Sequence, residues 1–206
     1  MRPGAGIPYD MGGYYLHEMF NMFGPVSRAS GFCFTREAHR PYLNPNHTKF
    51  REDFFVETPN TLTAALEFRN GFYAAIAMSS DCFGGDNLFE IHGTDGTLSV
   101  GDPNNFGDPV YITRNGGEKT VFPMTHPYCE NSRGIGAAEL AWSVRAERPH
   151  RLSAEMGYHA LEIIEALQVC TRDNQTKLFD TDFQRPRALS AHWVDHPQCK
   201  ELVLAD

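Results

Sequence analysis

The chain has 206 residues, 41% hydrophobic and 21% charged, an ordinary globular balance with length enough to bury a core without staples. Its formal charge is −8 and it has no basic run, which excludes nucleic acid and anionic membrane as expected partners, since both select a concentrated positive surface. Five cysteines, odd in number and never spaced as CxxC, argue for reduced thiols. With no apolar signal core near Met1 and no apolar run of spanning length, the expected compartment is the cytoplasm.

Pro8 and Asp10 announce a helix near residues 11–23, and Gly24-Pro25 ends it. Met11, Tyr15, Met19 and Met22 recur at helical spacing, widened by Leu16, Phe20 and Phe23. Val26 to Thr35 reads as a strand. Ala38 to Asp53, rich in Pro, Asn, His and charge, reads as a long loop. From Thr61 to Phe68 apolar and polar residues alternate, Asn70-Gly71 turns the chain, and residues 72–79 run back; Asn-Gly there predicts a type I′ hairpin. Strands at 88–93, 97–100, 109–114 and 118–123 follow, separated by short turns that allow only antiparallel pairing. Helices near 132–146 and 154–170 come last, the second with a stripe of Met156, Ala160, Ile163, Ile164 and Leu167. The tail after Phe179 is ambiguous. The expected fold is α+β: a single open, mainly antiparallel sheet with helices packed on one face, forming one domain over residues 1–206.

Asp10, Tyr14 and His17 fall at i, i+4 and i+7, one face of a continuous helix, with Asn21 extending the stripe. An acid, a phenol and an imidazole there could move a proton on a hydroxyl, the phenol as acid/base. A solvated helix face with Tyr14 half-buried explains the same spacing. The segment 127–133 offers Glu130, Asn131 and Arg133 as contacts for polyol hydroxyls before a helix start, or else Asn131 or Ser132 as that helix's cap. Asp81, Gly84, Gly85 and Asp86 form a loop after the hairpin, with Asp86 a further candidate contact. Metal chemistry finds little support. His17-Glu18-Met19-Phe20-Asn21 lacks the second His of HExxH, and His192, His196 and Cys199 have no second ligand pair. Gly134-Ile135-Gly136 is the nearest approach to a dinucleotide-binding loop, but it follows no strand and Glu139 stands at the third glycine position.

Residues 3–25, PGAGIPYDMGGYYLHEMFNMFGP, resemble the entry helix of the C-terminal domain in the Gfo/Idh/MocA family, which includes glucose–fructose oxidoreductase and inositol 2-dehydrogenase. Residues 67–79, 89–100, 126–151 and 158–167 resemble the same family, in order and at its separations. Asp10, Gly12 and Tyr14 match the family's Asp, Gly and aromatic acid/base position; the Tyr form is similar to the glucose–fructose oxidoreductase branch. His17 departs from the family's usual Asp or Asn. The resemblance implies the substrate-binding and catalytic half of an NAD- or NADP-dependent sugar or polyol oxidoreductase, with Tyr14 exchanging a proton during hydride transfer. It also implies a homo-oligomer formed through the open sheet face. The family's Glu-Lys-Pro-like motif is absent, so these residues are not expected to bind the cofactor themselves: the chain is a fragment of a longer protein, an independently encoded half that works with a separate Rossmann-domain half, or a degenerate product. The competing expectation is a non-catalytic module that binds a polyol or mediates oligomerisation.

Overall fold

The computed structural model describes residues 2–82, 88–126 and 128–189. In chain order the elements are α1 (Ile7–Asp10), α2 (Gly12–Phe23), β1 (Val26–Phe34), β2 (His39–Pro41), β3 (Asp53–Phe55), β4 (Thr61–Phe68), β5 (Tyr73–Ser79), β6 (Phe89–Gly93), β7 (Gly96–Val100), β8 (Val110–Arg114), β9 (Lys119–Phe122), α3 (Ile135–Arg145), α4 (Ala154–Asp173) and β10 (Lys177–Leu178). They fall into two compact units, Met1–Phe83 with Ala154–Arg185, and Gly84–Ser153 with Pro186–Asp206.

The first unit is built on a four-stranded antiparallel sheet in the order β10-β1-β4-β5. Alternation in β4 has its expected effect. Leu62, Ala64, Leu66 and Phe68 are buried, while Thr63 and Ala65 between them are exposed. Opposite that buried row stand Ala29, Gly31 and Cys33 of β1. α4 packs across β1 and presents Met156, Ala160, Ile163, Ile164 and Leu167, all buried as their spacing implied. Each of the larger side chains, Met156, Ile163, Ile164 and Leu167, contributes about 1.5–3 kcal/mol when fully buried. α2 packs on α4 through Gly12, Leu16, Met19 and Phe20. At Gly12 an added Cβ would stand 3.4 Å from Ile164 Cδ1, so the glycine lets the two helices approach closely.

The other sheet face carries no helix of this unit. On it lie Ser30, Phe32 and Phe34 of β1, Thr63 and Ala65 of β4, and Tyr73, Ala75 and Ala77 of β5. Phe32 and Tyr73 are 64% and 67% exposed. The second unit is an antiparallel meander, β6-β7-β8-β9, together with α3. Glu139 of α3 is buried there, held by a two-pronged Arg148 contact at 2.7 and 2.8 Å and by Arg151 at 3.1 Å. Burial alone would raise its carboxyl pKa; the two guanidinium groups outweigh burial and lower it.

The class is α+β, open and antiparallel, as expected. The single sheet is corrected. Three separate sheets exist among the described residues, of four, two and four strands. The long loop at 38–53 is corrected too, since β2 and β3 pair at His39↔Phe55, Arg40↔Phe54 and Pro41↔Asp53. Three-residue strands leave no alternation to read. The hairpin after β4 is not type I′. Gly71 has φ of 86° while Asn70 does not have positive φ; the Gly71 N–H donates to Phe68 O at 2.9 Å and the Phe68 N–H to Phe72 O at 2.8 Å. That is a three-residue loop closed by a left-handed glycine, a turn with a bulge. Among the described residues no helix is long and apolar enough to cross a membrane. Cys33, Cys82, Cys129 and Cys170 are free thiols, and burial pushes Cys33 up to about 11.

Candidate active site

The break at Met11 decides how the first three candidate residues meet. Asp10 ends the four-residue α1, whereas Tyr14 and His17 stand on α2. The Tyr14 N–H donates to Met11 O at 3.1 Å, so the helix ladder does not run evenly from Asp10 into α2. Tyr14 is 40% exposed and Asp10 and Asn21 are exposed, on the side of α2 away from Leu16, Met19 and Phe20. His17 is half-buried, donates from Nδ1 to Gly13 O at 2.7 Å and meets the Phe20 ring edge-on at 5.7 Å. No hydrogen bond joins Asp10, Tyr14 and His17 among the described residues. The three form no relay.

Two neighbours of these residues were missed in the sequence. Glu18 lies one helical turn beyond Tyr14, on the same side. Burial raises its carboxyl pKa, and no hydrogen bond or ion pair meets it among the described residues. Tyr9 of α1 donates its hydroxyl to Glu165 of α4 and accepts from Gln168 Nε2 at 2.7 Å. Burial first, then the Glu165 hydrogen bond, push its phenol up to about 12. Tyr9 is therefore a tether of α1 to α4 and not a proton donor near neutral pH. Glu165 and Gln168, three apart on one helix face, carried the only signal, and nothing in sequence linked them to Tyr9.

In the second unit Glu130 and Asn131 are exposed. Arg133 is already engaged, donating to Asn104 O at 3.1 Å and Asn104 Oδ1 at 3.4 Å and covering the Phe106 ring at 5.8 Å. Neither Asn131 nor Ser132 caps α3 by side chain; the N-cap is Gly134, and only the Ser132 carbonyl takes part, accepting from the Ile135 N–H at 2.9 Å. Gly84, Gly85, Asp86, Pro127, His192, His196 and Cys199 lie outside the described residues.

A dinucleotide needs a parallel strand–turn–helix unit whose helix N-terminus grips the pyrophosphate. Every ladder among the described residues is antiparallel, and Gly134 opens α3 from a loop. These residues do not make that cradle. Nor do three His, Cys, Asp or Glu side chains gather as metal ligands among the described residues.

Residues 1–99 match the family model of the GFO/IDH/MocA C-terminal domain. Over these residues the chain is similar to the C-terminal domain of the GFO/IDH/MocA family. No curated protein matches it. Among solved structures it is similar to levoglucosan dehydrogenase in its apo form, at 16% identity and a TM-score of 0.70, covering 87% of this chain and 52% of that one. Levoglucosan dehydrogenase with NADH and L-sorbose is similar at 16% identity and 0.69, covering 86% and 52%. An NAD-binding oxidoreductase from Klebsiella pneumoniae is similar at 15% identity and 0.65, covering 84% and 50%. At such identities the likeness is one of fold, that of the GFO/IDH/MocA C-terminal domain. The chain spans about half the length of the solved structures it matches.

Proposed function

We propose that residues 1–206 form one GFO/IDH/MocA-type C-terminal domain that supplies the substrate side of a sugar or polyol oxidoreductase. The observation that carries this is Tyr14, an exposed phenol on the first long helix, which by its sequence resemblance would stand at the family's acid/base position. The neighbouring structures' association with NADH and L-sorbose supports the substrate class and cofactor. The nicotinamide would accept or supply the hydride, and it would be held by a Rossmann-type half outside these 206 residues. This chain's own part is to bind the hydroxyl-bearing substrate and exchange its proton at the Tyr14 Oη. Asp10 and His17 flank that phenol as orienting groups, and Glu130, Asn131, Arg133 and Asp86 are proposed contacts for further hydroxyls.

In the assembly that joins this chain to its dinucleotide-binding half, Tyr14→Phe is expected to lower turnover about 100- to 10,000-fold, the usual worth of a positioned acid/base, with much smaller change in KM. Near-normal turnover on every sugar and polyol tried would remove the proton-transfer role. The second reading, a non-catalytic polyol-binding or oligomerisation module, is favoured by the lack of a hydrogen bond from Tyr14 to Asp10 or His17, and that same result would support it. We also propose that a second copy of the chain covers the bare sheet face around Phe32 and Tyr73.

A further inference from the structure

After β10 the chain runs on without helix or strand and closes over a buried histidine in the first half of α4. His159 has no exposed surface. Its ring is walled by Phe20 of α2 at 5.2 Å and by Phe179 and Phe183 of that segment at 5.5 and 5.7 Å. Phe179 is anchored, its N–H donating to Ser27 O and its carbonyl accepting from Arg69 Nη2, both at 2.9 Å. Residues 180–185 are held by side-chain ties instead. Thr181 Oγ1 donates to Glu162 Oε2 at 2.7 Å, Arg69 Nη2 donates to Thr181 O at 3.4 Å, and Arg185 Nη1 donates to Met22 O at 2.8 Å. The last two bonds are exposed, where water competes for each partner.

The closed arrangement has room for one proton on that ring. His159 Nε2 accepts from the Val26 N–H at 3.1 Å, so the neutral ring carries its proton on Nδ1, 3.4 Å from Glu162 Oε2. A second proton, on Nε2, would meet the Val26 N–H donor to donor. The charged groups around the ring are Glu162 on α4 itself, Arg69 from the turn after β4 and Asp182 from the segment; α2 faces it with the Phe20 ring and β1 with the Val26 N–H. Burial outweighs the two carboxylates and holds the ring neutral. To become charged the imidazole must reach water. Phe20 and Val26 are fully buried on a helix and a strand of the core, and Phe179 is anchored. Phe183, half-buried and held only through its neighbours, is the wall that can move.

We propose that residues 180–185 are an acid-opened strap: protonation of His159 lifts Phe183 away, with Phe179 as the hinge, while the sheet and α4 stay folded. Opening also parts Arg185 from Met22 O, which frees the last turn of α2, the helix that carries Tyr14. Glu162 and Asp182 keep their charge while the histidine titrates, since ordinary carboxyl values lie near about 4, so the imidazole alone drives the change. The strap stands without the proposed function.

The test is amide hydrogen exchange by NMR on the 206-residue chain, at about pH 7.5 and about pH 5.5, corrected for the intrinsic rate. The Val26 N–H reports opening, because its bond is to His159. Released to water, the ring returns to its ordinary 6.5, so protection of Val26 should fall about tenfold over that interval. The Ile163 and Ile164 amides of α4 should keep theirs. His159→Gln, which retains an acceptor for Val26, should abolish the tenfold ratio. Thr181→Val removes a tie of the strap without touching the histidine. It should speed Val26 exchange about two- to tenfold at both pH values, the worth of one hydrogen bond, and leave the ratio intact. An unchanged Val26 rate between the two pH values overturns the strap, as does an equal loss at Ile163 and Ile164, which would mean that the whole unit unfolds. So does a tenfold ratio that survives His159→Gln. Should that variant fail to fold, Thr181→Val decides alone: wild-type exchange at Val26 would show that the strap does not gate the ring.

Discussion

His159 has no exposed surface, and its Nε2 accepts a hydrogen bond from the Val26 N–H at 3.1 Å. That bond requires a neutral ring with the proton on Nδ1, which lies 3.4 Å from Glu162 Oε2. Burial pushes the pKa of His159 below its ordinary 6.5, and Glu162 offsets this only in part. As pH falls below 6.5 the unfolded chain takes up a proton that the folded chain refuses, so stability drops until the lower folded value is passed. Thermal unfolding followed from about pH 7.5 to about pH 5 should show this loss. A His159→Gln variant, which keeps an acceptor for Val26, should show a flatter profile over the same range. Nothing in the sequence marked His159 apart from His126 or His150, because its bonding partner is 133 residues away. Arg40 was hidden for the same reason. Its partner Asp81 lies 41 residues on, inside what reads as ordinary loop chemistry. Tyr14 was legible because helical spacing and a local motif are short-range signals; the absence of a relay to Asp10 was not, since it turns on the backbone break at Met11.

Strands with clean alternation and helices with long apolar stripes were read nearly to their ends, β4 and α4 above all. α4 runs three residues further than expected, to Asp173, and its Thr171 hydroxyl accepts from the Cys33 N–H at 2.6 Å and so pins the added turn to β1. α3 begins three residues later than expected, at Ile135, since neither Asn131 nor Ser132 caps it. Pairing was harder to foresee than existence. β10, two residues long, adds to the sheet through Arg28↔Leu178 and Ala29↔Lys177, a contact between chain segments about as far apart as the fold allows. The close packing of β1 also gives a prediction at this scale. A Cβ on Gly31 would stand 2.4 Å from Thr63 O and 2.8 Å from Ala64 Cβ, both parts of the neighbouring strand. Gly31→Ala should therefore destabilise the fold by about 1–3 kcal/mol, the usual cost of overpacking, read as a lower urea midpoint at unchanged slope.

For the whole molecule, the proposed pairing of two copies rests on the bare sheet face. Its middle is made of small residues, Ser30, Ala65, Ala75 and Ala77, with Phe32 and Tyr73 standing exposed toward its ends. Exposed aromatic side chains grouped on one face with small residues are a common mark of an association surface. Light scattering on the purified chain should give twice the chain mass at micromolar concentration, and Phe32→Glu, which places a charge on that face, should return it to the monomer mass. Wild-type monomers throughout that range would remove the proposal. The first unit is also discontinuous, since β1 to β5 and the helix that covers them are separated in sequence by residues 84–153 of the second unit. During synthesis the apolar row of Leu62, Leu66 and Phe68 thus emerges about a hundred residues before Ile163 and Leu167 can shield it. The half-made sheet must wait with its sticky side open, and this stretch of its life is when chaperones would have most to hold.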